Sequence, residues 1–262
     1  MSMTGEVAGT QLLGRAAAAL RAVSGMMPRG LTTAEVAERA ALSRPTAYRI
    51  LAALAANGFL DRDARTARWV LGPELYLMGA VAAERYDVTE LARESVRELA
   101  ARTGESAFFS ARRGNETVCL LREEGSFPIR SFVLYEGVRF PLGVASAGLA
   151  ILAFLDDQAI DEYLANADLV ARFGEQHAAA PLAARLRQTR RAGYAVNPGL
   201  IVEGSWGMGA AVFDAGGAPE WALSLTGIQP RFGADRRPEL GRLLMEQAHA
   251  LSQRIQRAQP AR

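Results

Sequence analysis

Residues 31–60, LTTAEVAERAALSRPTAYRILAALAANGFL, constrain the fold more than any other stretch of the chain. Thr32 and Glu35 have the spacing of a capping box, in which each side chain accepts a backbone N–H that the first helical turn leaves free. The spacing predicts a short helix over Thr33 to Ala40. Only Ala41, Leu42 and Ser43 separate it from a second helix. Ser43 is an N-cap residue, Pro45 fits the first turn, and Gly58 stands where a helix would stop. In that second helix Ala47, Ile50, Leu51 and Leu54 fall at i, i+3, i+4 and i+7 and make one apolar stripe. At ~100° per residue Pro45, Arg49 and Ala52 lie opposite, with Thr46 and Tyr48 on the flanks. A short helix, a tight turn and an amphipathic helix with a small, basic outer face form the helix-turn-helix pattern. Val36 and Ala37 of the first helix are placed to pack on the stripe of the second.

The flanking residues extend the pattern. Residues 11–24 have apolar positions at helical spacing and end before the loop signal GMMPRG. After Gly58, Phe59-Leu60 and Trp69-Val70-Leu71 read as short strands joined by a charged tip with Arg62, Arg65 and Arg68. The whole is a winged helix-turn-helix domain over residues 10–72. Its expected partner is a double-stranded DNA operator. Thr33, Thr46, Tyr48 and Arg49 are candidates for base edges or phosphates, and Ser43, Arg44 and Pro45 sit at the helix N-terminus, which suits phosphate. Arg62, Arg65 and Arg68 of the wing are candidates for phosphates or the minor groove.

Charge distribution agrees with this. The chain has 30 basic residues, all Arg, against 28 acidic ones. Between Arg39 and Arg68 there are six Arg against Asp61 and Asp63, a local basic patch on a near-neutral protein. One cysteine, Cys119, rules out a disulfide framework and fits a reducing cytoplasm. The N-terminal segment MSMTGEVAGT lacks the basic and apolar regions of a signal peptide. The longest uncharged run, Phe140 to Leu155, contains Pro141 and Gly143 and is short for a membrane span of about 20 residues. A soluble, cytoplasmic protein with no membrane partner is expected.

Residues 73–88 read as a linker helix and 89–258 as a second domain. VTELARESVRELAART is its first helix, and SAFFSARR, ETVCLLREE and IRSFVLYEG read as antiparallel strands separated by Gly-containing turns. SAGLAILAFL, DDQAIDEYLANA and LAARLRQTRRAG read as helices, GMGAAVFD and EWALSLTG as strands, and the C-terminal stretch as a long amphipathic helix. Strands with helices at their edges give an α+β sensor-type domain. The helix starting near Ser146 offers free N–H groups and a partial positive charge to a carboxylate. Ser224 and Thr226 alternate on one strand, so their hydroxyls share a face. The plainer reading is that Phe132 and Phe140 are ordinary core and the hydroxyls bond their own backbone.

Catalysis finds little support. His177 and His249 lie in polar sequence with no evident partner and are expected to be exposed. Cys119 sits mid-strand, where a buried thiol is inert. GSWGMG lacks the third glycine and the strand–turn–helix setting of a dinucleotide site. Asp156-Asp157 and Asp161-Glu162 are accounted for by a helix start. No enzyme activity, metal or cofactor is expected.

At this point the chain resembles a known family, the IclR-type bacterial transcriptional regulators. The resemblance rests on LTTAEVAERAALSRPTAYRILAALAANGFLDRD and WVLGPELYLMGA, then on GVRFPLGVASAGLAILAFL, RRAGYAVNPGLIVEGSWGMGAAVFD and EWALSLTGI, in that order and spacing. It implies a GAF-like C-terminal α+β domain that binds a small-molecule effector, with a carboxylate suspected, and a homodimer or dimer of dimers. By position it implies an effector pocket with Phe132 and Phe140 as walls, Ser146 and Ala147 at a helix start, Asn197, Ser205 and Gly207 from the glycine-rich segment, and Ser224 and Thr226 from the last strand. Gly143 stands where many members have His, Leu149 where many have Lys, and Asn197 where Asp is frequent. The expectation is a repressor or activator whose operator affinity an effector modulates. The alternative is a dimeric DNA-binding protein whose sensor-like domain serves only oligomerisation.

Overall fold

The structure, a computed structural model, describes residues 10–83, 88–129 and 133–258. They separate into two units, one within residues 1–86 and one within 87–262.

The first unit contains α1 (Gln11–Ser24), α2 (Thr33–Arg39), α3 (Arg44–Ala56), β1 (Leu60–Arg62), β2 (Trp69–Leu71) and α4 (Pro73–Ala83). The capping box is made on both sides: Thr32 Oγ1 accepts the Glu35 N–H at 3.3 Å, and the Glu35 carboxylate accepts the Thr32 N–H at 2.7 Å. Between α2 and α3 the chain reverses through Ala41 at φ 52°, and Leu42 N–H donates to the Ala37 carbonyl at 2.8 Å. That left-handed residue and its backward bond close the helix end. Ser43 Oγ then accepts the Thr46 N–H at 3.4 Å and caps α3. Ala47, Ile50 and Leu51 of the stripe are buried against Ala19, Val23, Val36, Ala37, Leu60 and Trp69, and Leu54 is partly buried beside them. β1 and β2 pair antiparallel, Leu60 opposite Leu71. Leu31 bridges the outer side of Trp69 through two hydrogen bonds of 3.0 and 2.7 Å. At the wing tip Asp63 Oδ1 accepts the amides of Arg65 and Thr66, at 3.0 and 2.7 Å, which fixes the turn.

In the second unit α5 (Val88–Thr103) leads into β3 (Ser106–Arg113), β4 (Glu116–Glu123) and β5 (Arg139–Pro141). Next come α6 (Ser146–Ala153), α7 (Asp157–Asn166), α8 (Val170–Phe173) and α9 (Ala179–Ala192). β6 (Ala195–Pro198), β7 (Ser205–Phe213), β8 (Pro219–Ile228) and α10 (Arg237–Ala258) complete it. The strands form one antiparallel sheet in the order β5-β4-β3-β8-β7-β6. Period-two alternation divides its side chains between two cores. Ala107, Phe109, Leu121, Met208, Ala210, Val212, Leu223 and Leu225 pack with α5 and α10. Phe108, Cys119 and Ala222 face the other way, toward α6, α7 and α9. α6 is buried on all sides. Leu149, Ile151 and Leu152 on it each contribute about 1.5–3 kcal/mol of burial.

Three expectations are corrected by this unit. The strand expected over IRSFVLYEG is not formed where it is described: residues 133–137 are turn and irregular, residues 130–132 lie outside the described residues, and β5 at 139–141 pairs with β4 instead. The short edge strand β6 was not anticipated, because Pro198 and Gly199 interrupt its pattern. His177 is buried rather than exposed, while His249 is exposed. Burial pushes the His177 pKa below its ordinary value. Its Nδ1 lies 2.9 Å from the Phe173 carbonyl and its ring packs on Phe173, 5.7 Å between centroids. The polar neighbours of His177 misled because its ring turns onto Phe173 of the preceding helix α8.

Candidate functional site

In the first unit the outward face of α3 presents Ser43, Arg44, Pro45, Tyr48 and Arg49 to solvent, with Thr46 half-buried. Tyr48 on this face is 51% exposed. Neither Arg44 nor Arg49 has a carboxylate partner among the described residues, so both guanidiniums remain available. The small residues beside them, Ala52 and Ala53, leave room for close approach by another surface.

The structure divides the wing arginines. Arg65 is exposed, and its charge is felt by the nearby Asp63 carboxylate. Arg62 lies along the hairpin, its guanidinium 5.5 Å from the centre of the Trp69 ring. Arg68 turns inward, donating to Glu35 at 2.9 Å and to the Gly30 carbonyl at 3.1 Å. Thr33 also faces the fold: its hydroxyl accepts the Trp69 indole N–H at 3.0 Å. Glu35 is the hub, paired with Arg68 and with Arg29 at 3.1 Å. The Thr32 N–H first, then the Thr32 side chain and Arg68, hold its carboxyl down at about 2.

In the second unit a small recess lies between the N-terminal end of α6 and the face of β7 and β8. Val133, Leu134, Phe140, Ile201, Ser146, Ala147, Asn197, Ser205, Gly207 and Thr226 line it, with Ala145 and Trp206. Phe132 lies outside the described residues. Ser224 is fully buried one step along β8 from Thr226 and does not reach the recess itself. The cavity measures about 30 Å³. That is room for roughly two waters, so anything larger must widen it.

Close approach of α6 to the sheet creates the recess. A Cβ on Gly209 would lie 2.8 Å from the Ser146 carbonyl oxygen, and one on Gly207 would lie 3.1 Å from Ser146 Oγ. Only glycine at 209 lets the helix start sit this low. The amides of Ser146, Ala147 and Gly148 precede the first helical bond, Leu149 N–H to the Ala145 carbonyl at 2.9 Å, and point into the region above β7. The loop before α6 is held from three sides. Tyr163 Oη donates to the Leu142 carbonyl at 2.6 Å, Asn197 Nδ2 to the Val144 carbonyl at 2.7 Å, and Arg185 reaches the Gly143 carbonyl at 3.5 Å. Asn197 Oδ1 also accepts the Leu200 N–H at 2.9 Å. Both ends of its amide therefore help hold the walls together.

Three buried hydroxyls on this face of the sheet, Ser106, Ser224 and Thr226, have no hydrogen-bond partner among the described residues. Ser106 stands opposite Thr226 and Phe108 opposite Ser224 in the β3–β8 register, so the three share one face. Buried hydroxyls without partners are rare because leaving each unsatisfied costs ~1–3 kcal/mol. Sequence reading missed Val133, Leu134, Ala145, Ile201 and Trp206 of the lining, and Ser106, which strand pairing sets opposite Thr226. Cys119 lies in the core away from the recess, and burial pushes its thiol to about 12. Among the described residues no group of His, Cys, Asp and Glu is placed to hold a metal ion, and no helix is long and apolar enough to cross a membrane.

Residues 80–253 match the family described as bacterial transcriptional regulator IclR C-terminal, and residues 12–64 match the IclR helix-turn-helix domain. The chain is similar to the HTH-type transcriptional regulator BhcR of Paracoccus denitrificans, 30% identical over 85% of this chain and 80% of that one. It is also similar to the solved IclR transcriptional regulator from Alicyclobacillus acidocaldarius, with 25% identity, a TM-score of 0.75, and 93% of this chain and 98% of that one covered. An IclR homologue from Microbacterium hydrocarbonoxydans, solved with 4-hydroxybenzoate, shares the fold at 23% identity and a TM-score of 0.74, covering 95% of this chain and all of that one.

Proposed function

Because this chain belongs to the IclR family of DNA-binding bacterial transcriptional regulators, we propose that the recess at Ser146 is its effector site and that a small aromatic acid is the effector. The observation that carries this reading is the buried Thr226 hydroxyl, which lines the recess with no hydrogen-bond partner among the described residues, with Ser106 and Ser224 in the same state on the same sheet face. The helix start suits a carboxylate, Phe140 and Ile201 suit a ring, and the hydroxyls suit a further polar substituent. The fold-level neighbour that binds 4-hydroxybenzoate makes that compound the first to try. Since the cavity is small, the acid binds by displacing its walls. Such widening is a physical route from occupancy to a changed conformation. An effector shifts operator affinity only through its differential affinity for two states, typically ~1–3 kcal/mol.

On the DNA side, the proposed reading head is Arg44, Pro45, Thr46, Tyr48 and Arg49, with Ser43 at the cap and Arg62 and Arg65 on the wing. Arg68 and Thr33 support the head from behind. The proposed assembly is a homodimer joined through α4, where Tyr76, Leu77, Met78 and Val81 are all exposed, with Leu12 and Leu13 of α1 adding apolar surface. A dimer presents two heads to the half-sites of a palindromic operator.

A mobility-shift assay on DNA upstream of its own gene, with a panel of aromatic and aliphatic carboxylates, tests the reading. One acid should change the shift, and Thr226→Val and Ser146→Ala should blunt its effect. An acid that acts equally on the wild type and both variants would place the effector elsewhere.

A further inference from the structure

A second cavity lies at the open edge of β6, away from the recess. It measures about 150 Å³, and its walls come from α9 (Arg185, Gln188, Thr189), from Tyr194 and Val196, and from Arg237 at the start of α10. Two guanidiniums thus share one cavity, and no carboxylate lines it. Among the described residues neither arginine forms an ion pair. Arg68, by contrast, turns inward onto the Glu35 carboxylate. Nε of both Arg185 and Arg237 is buried and has no hydrogen-bond partner. Burial strips part of the hydration from both side chains; Arg185 recovers some of it from the Gly143 and Gln176 carbonyls and Arg237 from the Trp206 ring, but neither gains a countercharge. Burial also draws the Arg185 pKa below its ordinary value.

The cavity is connected to the recess by shared elements. The Arg237 guanidinium lies 5.6 Å from the centre of the Trp206 ring, and Trp206 is itself a lining residue of the recess. Val196 lines this cavity, while Asn197, its neighbour on the opposite face of β6, clamps the loop before α6. Arg185 reaches that same loop through the Gly143 carbonyl.

We propose that this cavity is a second ligand site, which takes the phosphate or carboxylate end of a small metabolite between Arg185 and Arg237. The planar, forked donors of arginine match such an oxyanion, and an anion there restores the missing countercharge. Its occupancy bears on the recess through Trp206 and the Gly143 loop, so anion and effector affinities are linked reciprocally. The anion site itself stands whether or not the recess binds an aromatic acid.

The test is isothermal titration of the full-length protein with inorganic phosphate and with malonate, in the absence of DNA and effector. Saturable binding of at least one anion is expected, and the stronger of the two tells whether a phosphate or a carboxylate is the natural end group. Arg185→Gln and Arg237→Gln should each weaken binding by about tenfold or more, as loss of a charge-assisted pair would. Arg191→Gln, at an exposed arginine of the same helix α9, should leave it unchanged. The proposal is overturned if neither anion binds, if both glutamine variants bind like wild type, or if binding vanishes instead in Arg44→Ala or Arg49→Ala. Should a glutamine variant misfold, tryptophan emission decides. A saturable change with anion that disappears in Trp206→Phe supports the site, and a change that persists there overturns it.

Discussion

Asn197 and Val144 are 53 residues apart in sequence and joined by a 2.7 Å hydrogen bond, from the side-chain amide of one to the carbonyl of the other. The same amide's oxygen accepts from Leu200, so one side chain holds together the β6–β7 edge and the loop that enters α6. Asn197→Ala removes both bonds and leaves the buried Val144 carbonyl and the part-buried Leu200 N–H without this partner. The expected loss is ~1–3 kcal/mol in the stability of the second unit. Asn197→Asp keeps the acceptor and loses the donor, and should fall between the two. Thermal or urea unfolding checks the order; an alanine variant as stable as wild type would remove the clamp.

Gly209 and Gly207 make a matched pair. A methyl at 209 meets the Ser146 backbone at 2.8 Å, whereas one at 207 meets only the Ser146 hydroxyl at 3.1 Å. Gly209→Ala should therefore cost about 1–3 kcal/mol through overpacking, and Gly207→Ala distinctly less. Denaturant midpoints of the two variants measure the difference.

Ala41 occupies a left-handed conformation at φ 52°, where a Cβ is strained and glycine is not. Ala41→Gly should stabilise the first unit by roughly 0.5–1 kcal/mol, net of the added freedom of the unfolded chain. Unfolding followed by Trp69 emission reports it. A destabilised glycine variant would contradict the argument.

Arg49, Arg65 and Arg68 should separate in DNA binding. Arg49→Ala is expected to weaken operator binding by about 1–3 kcal/mol more than random DNA if it reads a base. Arg65→Ala should lower the salt slope by about one on every sequence. Arg68→Ala should act mainly through stability, because Arg68 holds Glu35 and Gly30. Binding titrations over a salt series, beside melting curves, distinguish the three.

Glu35 gives the first unit a defined acid limit. Its carboxyl is held at about 2 in the fold against an ordinary value near 4.5. A depressed carboxylate contributes stability that is complete above the ordinary value and lost as pH falls through the folded one. Unfolding of the first unit should grow easier between those two values, and Glu35→Gln should flatten that dependence. An unchanged pH profile in the glutamine variant would assign the acid sensitivity to other groups.

The helix-turn-helix was legible from residues alone because its determinants are local. A capping box spans Thr32 to Glu35, the apolar stripe repeats within Ala47 to Leu54, and Ser43 caps the helix it begins. Each operates over a few residues, so neighbours in sequence decide it. Likewise α5 covers the VTELARESVRELAART segment from end to end, because its 3.6-residue pattern is self-contained. The recess was legible only in part. Ser146, Asn197, Gly207 and Thr226 came from a resemblance, and the segment taken as a strand near Val133 supplies irregular wall instead.

By itself the sequence determined the main helices and the longer strands, and which face of α3 turns outward, since hydrophobic periodicity and capping are short-range; the short edge strands β5 and β6 needed their partners. Tertiary structure alone decided which charges and hydroxyls were left over. Arg68 looked like Arg65 until a loop 38 residues away brought Gly30 within reach. Ser106 meets Thr226 only across a strand pair that joins residues 120 apart in number. A polar group's availability depends on every partner that folding brings near it, and those partners are distant along the chain.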